Sequence, residues 1–164
     1  MLRLTLVRHA KTESAHSGQE DWDRVLEPRG QLDAPEMGRR LKSRGLKPER
    51  ILTSPAIRAT STASIFAREL GVPATKILPD ERLYLAGVKS LLTVVQELGG
   101  TTKHLMIVGH NPGLTEFADA LSSERSIDNM PTCAVYTLEF DIKNWSELEL
   151  ATGVNAEFDY PKKF

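Results

Sequence analysis

The chain has 164 residues, a length that suits one domain, residues 1–164, with a sizeable core. Its formal net charge is −1, so the molecule as a whole is no electrostatic magnet for nucleic acid or an anionic membrane. Cys133 is the single cysteine, which excludes an internal disulfide and a cysteine-based metal cluster and fits a reducing compartment.

The N-terminus reads Met1-Leu2-Arg3-Leu4-Thr5-Leu6-Val7-Arg8. Its apolar stretch is broken by charge and too short for a signal peptide or a membrane span, which predicts a cytoplasmic protein. Residues 2–7 read instead as a buried strand, near-continuous in apolar side chains. Arg8-His9 follows directly. Residues 13–29 are polar, lack a period and carry Trp22. They are expected as a long loop overhanging whatever His9 does.

Leu32, Met37 and Leu41 suggest a helix ending at Gly45, with Pro35 leaving its start open. A second strand, 51–53, leads into Ser54-Pro55. Ser54 suits a cap and Pro55 a first turn. Ala59, Ala63, Phe66, Ala67 and Leu70 then keep helical spacing until Gly71. A strand is expected at 75–78. Leu91, Val94, Val95 and Leu98 mark a helix ended by Gly99-Gly100. Residues 105–108 form another near-continuous apolar run, closed by Gly109-His110. Asn111-Pro112 repeats the cap-then-proline signature before Leu114, Phe117, Ala118 and Leu121. Residues 134–140 alternate and read as a strand nearer an edge; 148–151 read as a sixth strand. The tail carries Phe158, Tyr160 and Phe164, and either packs on the body or stays mobile. Strands alternating with helices predict an α/β fold: a mostly parallel central sheet of about six strands with helices on both faces.

In such a sheet, ligands bind beyond the carboxyl ends of the strands. Three strand ends here carry phosphate-compatible groups: Arg8-His9, Ser54 leading to Arg58, and His110. A neutral imidazole can attack phosphorus and split one hard step into two. Free histidine titrates near ~6.5, and neighbouring arginines disfavour its protonated form. Guanidinium forks match the equatorial phosphoryl oxygens and keep their charge. His110, when protonated, adds a donor. Each element is ordinary by itself; the combination points to a phosphoryl site.

These motifs resemble the histidine phosphatase superfamily, also called phosphoglycerate-mutase-like. Arg8-His9-Ala10 stands where that family has Arg-His-Gly. Ser54-Pro55-Ala56-Ile57-Arg58-Ala59-Thr60 resembles its second motif, and Gly109-His110-Asn111-Pro112-Gly113 its third. Length and spacing look most like the compact SixA-type branch, the phosphohistidine phosphatases. Leu6-Val7-Arg8-His9-Ala10-Lys11, Asp23-Arg24 with Pro28-Arg29-Gly30, and Asp33-Ala34-Pro35 fit it. The resemblance implies His9 as the phosphorylated nucleophile, a phosphate pocket of Arg8, Arg58 and His110, and no metal or organic cofactor.

One departure is informative. Many members have a glutamate shortly after an Arg-Leu pair, but Arg82-Leu83 is followed by Tyr84-Leu85. Glu81, Asp80 or Glu13 are the candidates for a substitute acid. A sugar alkoxide needs a proton to leave. Imidazole leaves far more easily, since its conjugate acid has a pKa of only about 6.5. The missing acid therefore favours phosphohistidine, or another activated phosphoryl donor, over ordinary sugar phosphates. The best substrate class is phosphohistidine on a protein, such as a phosphotransfer domain, ahead of a small phosphorylated molecule. The alternatives are a small-molecule phosphomonoesterase, a mutase, or a phosphate-binding module without turnover. A basic run from Arg39 to Arg50 reads as a solvated helix face or as a docking surface for an acidic protein. No zinc spacing, Walker loop or dinucleotide fingerprint is present, and neither a nucleic-acid nor a membrane partner is expected.

Overall fold

The computed structural model describes residues 1–124 and 127–163. Six strands form one sheet: β1 (Leu2–Arg8), β2 (Arg50–Thr53), β3 (Ile77–Pro79), β4 (His104–Gly109), β5 (Val135–Phe140) and β6 (Val154–Asp159). Their order is β3-β2-β4-β1-β5-β6. The first four in that order run parallel, whereas β5 is antiparallel to β1 and β6 to β5. Four α-helices cover the sheet: α1 (Pro28–Ser43), α2 (Ile57–Leu70), α3 (Val88–Leu98) and α4 (Gly113–Leu121).

The apolar runs of β1 and β4 are continuous because both faces are covered. Leu4, Leu6, Leu105 and Ile107 pack with Leu91, Val94, Leu114 and Phe117 of α3 and α4. Val7, Met106 and Val108 point the other way, onto Met37, Leu41, Ala63 and Phe66 of α1 and α2. Successive residues of one strand therefore feed two separate cores.

The sequence expectations hold for five strands within a few residues. The sixth is a correction. Residues 148–151 are not a strand; Leu148 is buried beneath a short turn at Trp145–Glu147. The sixth strand is β6, whose residues are mostly exposed. It covers β5, which is buried along most of its length and lies one strand in from the edge. Helix α1 begins at Pro28 and keeps Pro35 in its interior. Leu32 is not a core residue; it stands 66% exposed. Helix α2 starts at Ile57, two residues after Pro55, and its N-cap position has no side-chain cap. The tail does pack on the body, with Phe158 against Tyr136 and Tyr160. Phe164 lies outside the described residues.

Candidate active site

The site grows out of strand register. Arg8 pairs with Gly109 across β1 and β4, and Thr53 with Val108 across β2 and β4. The ladder continues one residue further on each side: His9 N–H donates to Gly109 O at 3.0 Å and Ser54 N–H to Val108 O at 3.0 Å. Parallel strands end at the same edge, so His9, Ser54 and His110 arrive there together. The rings of His9 and His110 lie 5.3 Å apart between centroids. Helix α2 returns Arg58 to the same place, 3% exposed. Thr62, one turn later, ties it to β1: its hydroxyl donates to Arg58 O and accepts from Ala10 N–H at 3.0 Å. The result is a cleft of about 440 Å³ whose walls include Arg8, His9, Arg58 and His110, with Lys11 and Thr132 at one side.

Hydrogen bonding decides how each ring is presented. His9 Nδ1 lies 2.8 Å from Ala10 O. A carbonyl can only accept, so the proton sits on Nδ1 and the lone pair on Nε2. Burial drives the His9 pKa down to about 4, against the pull of that carbonyl bond; Arg58, Arg8 and Arg24 lower it further. The arginines thus contribute as the sequence suggested, but desolvation dominates. His110 is lowered to about 3, first by burial, then by His9 and Arg58. It is therefore neutral at physiological pH, not the charged donor the sequence had offered.

His110 Nε2 is 2.7 Å from Ser54 Oγ. That oxygen also accepts from Ala56 N–H at 3.3 Å. Ser54 O–H can then donate to Nε2, and with that donation the His110 proton sits on Nδ1. Among the described residues, neither His110 Nδ1 nor Arg8 Nε, both buried, has a hydrogen-bond partner. Buried polar atoms of this kind call for a partner, and an oxyanion would satisfy both.

Arg58 is held in place by Asp21, in the turn Asp21–Asp23 of the overhanging segment. Its Nη1 donates to Asp21 O at 2.7 Å and its Nη2 to Asp21 Oδ2 at 2.9 Å. Tyr84 O–H and Arg24 Nη1 donate to the same carboxylate. These bonds, Tyr84 first, hold the Asp21 carboxyl well below the usual carboxylate range. Tyr84 in turn sets its ring edge against His110 at 5.4 Å and packs on Trp22 at 4.7 Å.

The proposed acids are placed elsewhere. Glu81 is exposed on the turn after β3 and does not line the cleft. Asp80 is engaged by Arg82. Glu13 reaches outward, 3.5 Å from His16. Among the described residues lining the cleft, Asp21 carries the one carboxylate. Sequence reading missed it, because the segment has no period and its partner Arg58 is distant in the chain. Ser54 was noticed as a helix cap, whereas its strong bond is to His110. Among the described residues, no group of three or more His, Cys, Asp or Glu side chains is arranged to hold a metal ion.

Residues 4–84 match the family model of the histidine phosphatase superfamily (branch 1). The chain belongs to that superfamily. As a member it is a phosphatase, and it acts on phosphorylated substrates. An uncharacterised protein of Picosynechococcus is 32% identical over 127 residues, covering 74% of this chain and 73% of its own. An Agrobacterium tumefaciens protein provisionally named the phosphohistidine phosphatase SixA is 25% identical in its solved structure. It covers 93% of this chain and 97% of its own, with a TM-score of 0.76. The protein histidine phosphatase SixA, solved with tungstate, shares the fold at 20% identity. Its TM-score is 0.82, with 98% of this chain and 97% of that one covered. This histidine phosphatase is thus SixA-like in fold. No helix among its described residues is long and apolar enough to cross a membrane.

Proposed function

We propose that residues 1–164 act as one domain that removes the phosphoryl group from phosphohistidine on a protein, without a metal, by way of a covalent intermediate on His9. In the first step the His9 Nε2 lone pair attacks phosphorus. A bond from phosphorus to Nε2 forms as the bond to the substrate imidazole breaks, and the electron pair leaves on that imidazole nitrogen. In the second step water attacks phosphorus, the bond to His9 breaks, and inorganic phosphate departs. Arg8, Arg58 and the His110 N–H stabilise the charge on the equatorial oxygens.

The observation that carries this reading is the protonation pattern of the cleft. His9 offers a neutral Nε2, and the one carboxylate among the described residues lining the cleft, Asp21, is held ionised by three donors. Among the described residues lining the cleft, no carboxylic acid is left to protonate an alkoxide. A site of this kind favours a leaving group that departs unaided, as imidazole does. The test is to mix the protein with a phosphorylated phosphotransfer domain and follow the label. Fast loss of label, unaffected by chelators and far exceeding turnover of sugar phosphates, is expected. Faster turnover of sugar phosphates contradicts the reading.

A further inference from the structure

The phosphate cleft opens onto a second space. Lys11 and Thr132 line the cleft and also line a groove of about 550 Å³. The rest of that groove includes Arg29, Asp33, Tyr160 and Lys162. Three cations there face one carboxylate. Lys11 Nζ lies 3.4 Å from Glu27 and Arg29 Nε lies 3.1 Å from Asp33, yet the two basic side chains are 57% and 51% exposed. The cationic ends of both pairs stay half in water, which screens them, so Lys11 and Arg29 can also meet another anion.

The walls of the groove are fixed by contacts outside the phosphate pocket. The short turn Pro161–Lys163 carries Lys162. Arg40, largely buried on α1, anchors the chain on which that turn sits. Its Nη1 donates to Asp159 Oδ1 at 3.1 Å and Tyr160 O at 3.0 Å, and its Nη2 to Pro161 O at 3.0 Å. On the other side, Lys11 O accepts from Glu27 N–H at 3.0 Å. Gly30 packs so closely there that a Cβ would stand 2.2 Å from the same oxygen. The basic run of α1 does not line this groove. Arg39 meets Glu36 and Glu69, and Arg44 meets Glu157, while Arg40 holds the tail in position.

The cleft also borders a groove of the opposite character. Arg8 and Asn111 line a space of about 500 Å³ whose walls include Glu116 and Asp128. The two grooves share no lining residue. The charge around the phosphoryl position is thus polarised, which is a property that orients an extended substrate and hardly affects a small one.

We propose that the basic groove receives an acidic segment of the phosphorylated protein, the residues adjoining its phosphohistidine, with Lys11, Arg29 and Lys162 as the pairing cations. This rests on the phosphohistidine-protein reading above. The test compares two histidine-phosphorylated peptides, identical except that glutamates or lysines flank the phosphohistidine, with para-nitrophenyl phosphate as a substrate too small to enter the groove. The enzymes are the wild-type chain and Lys162→Glu, a change at an exposed side chain outside the phosphate pocket. The wild-type enzyme should favour the glutamate peptide by roughly fivefold or more in kcat/KM, chiefly through KM and less so at high salt. Lys162→Glu should narrow or reverse that preference and leave para-nitrophenyl phosphate turnover unchanged. Equal use of both peptides, or preference for the lysine peptide, overturns the groove assignment while the phosphohistidine reading stands. An equal loss on all three substrates in Lys162→Glu also overturns it, because docking cannot affect the small one. Failure to hydrolyse either peptide, with para-nitrophenyl phosphate still cleaved, sinks the substrate reading and the groove assignment together.

Discussion

Ser54 Oγ lies 2.7 Å from His110 Nε2, so the end of β2 sets the ring at the end of β4. This contact gives Ser54 a role that its place before a proline does not announce. Ser54→Ala leaves the His110 proton free to sit on either nitrogen. Removing a fixed donor to a developing oxyanion costs ~100-fold or more in kcat, and mis-setting one should cost less. Steady-state kinetics should show kcat reduced by roughly tenfold or more, with the melting temperature little changed. An unchanged kcat contradicts tautomer control by Ser54.

Asp21 acts on Arg58 in two ways. It aligns the guanidinium through Nη1 and Nη2, and it places a negative charge at the cleft. Asp21→Asn keeps the shape and removes the charge. Inorganic phosphate should then inhibit severalfold more tightly, because an ionised carboxylate no longer repels it. kcat should fall as the charge-assisted bond from Arg58 Nη2 weakens, although Nη1 keeps its bond to Asp21 O. Weaker phosphate inhibition in this variant contradicts the electrostatic part of the account.

The pKa of His9 should be visible directly. NMR titration of its imidazole should give a midpoint near 4, so the ring stays neutral down to mildly acidic pH. A midpoint near the ordinary ~6.5 would mean that the ring is solvated and that burial does not poise it.

His104 extends the same logic to stability, away from the site. It is buried on β4, accepts or donates at Thr5 Oγ1 over 2.7 Å, and its pKa is lowered to about 4, chiefly by burial. The unfolded chain binds a proton there below about 6.5, and the folded chain does so only below about 4. Stability therefore rises with pH across that window and is lost as pH falls through it, by on the order of 3 kcal/mol for this one group. Urea midpoints measured from pH 7 to pH 4 should fall steeply, and His104→Gln should flatten part of that slope. An identical slope in the variant counts against His104 as a source.

How much of this was legible beforehand follows from physical range. The strand ends were readable because a doubly covered strand must be apolar throughout, so Arg8-His9 and Gly109-His110 stand out as abrupt polar stops. Parallel pairing then brings those stops together with no further information. β6 was unreadable because it is mostly exposed and carries no apolar stretch. Leu148 misled in the opposite sense; its burial comes from packing beneath a turn, not from a strand. The start of α1 was left open by Pro35, which sits in the helix interior seven residues after the first helical position, Pro28. Asp21 was invisible because its chemistry depends wholly on Arg58, Arg24 and Tyr84, which only the fold assembles around it.

The central claim is that phosphorus becomes bonded to His9 during turnover. It is tested most directly by rapid quenching with a radiolabelled phosphoryl donor, followed by mapping of the label. Label should appear on the peptide containing His9, survive alkali, be lost in acid, and be absent from His9→Ala. Label on another residue, label that survives acid but not alkali, or undiminished turnover by His9→Ala would contradict it.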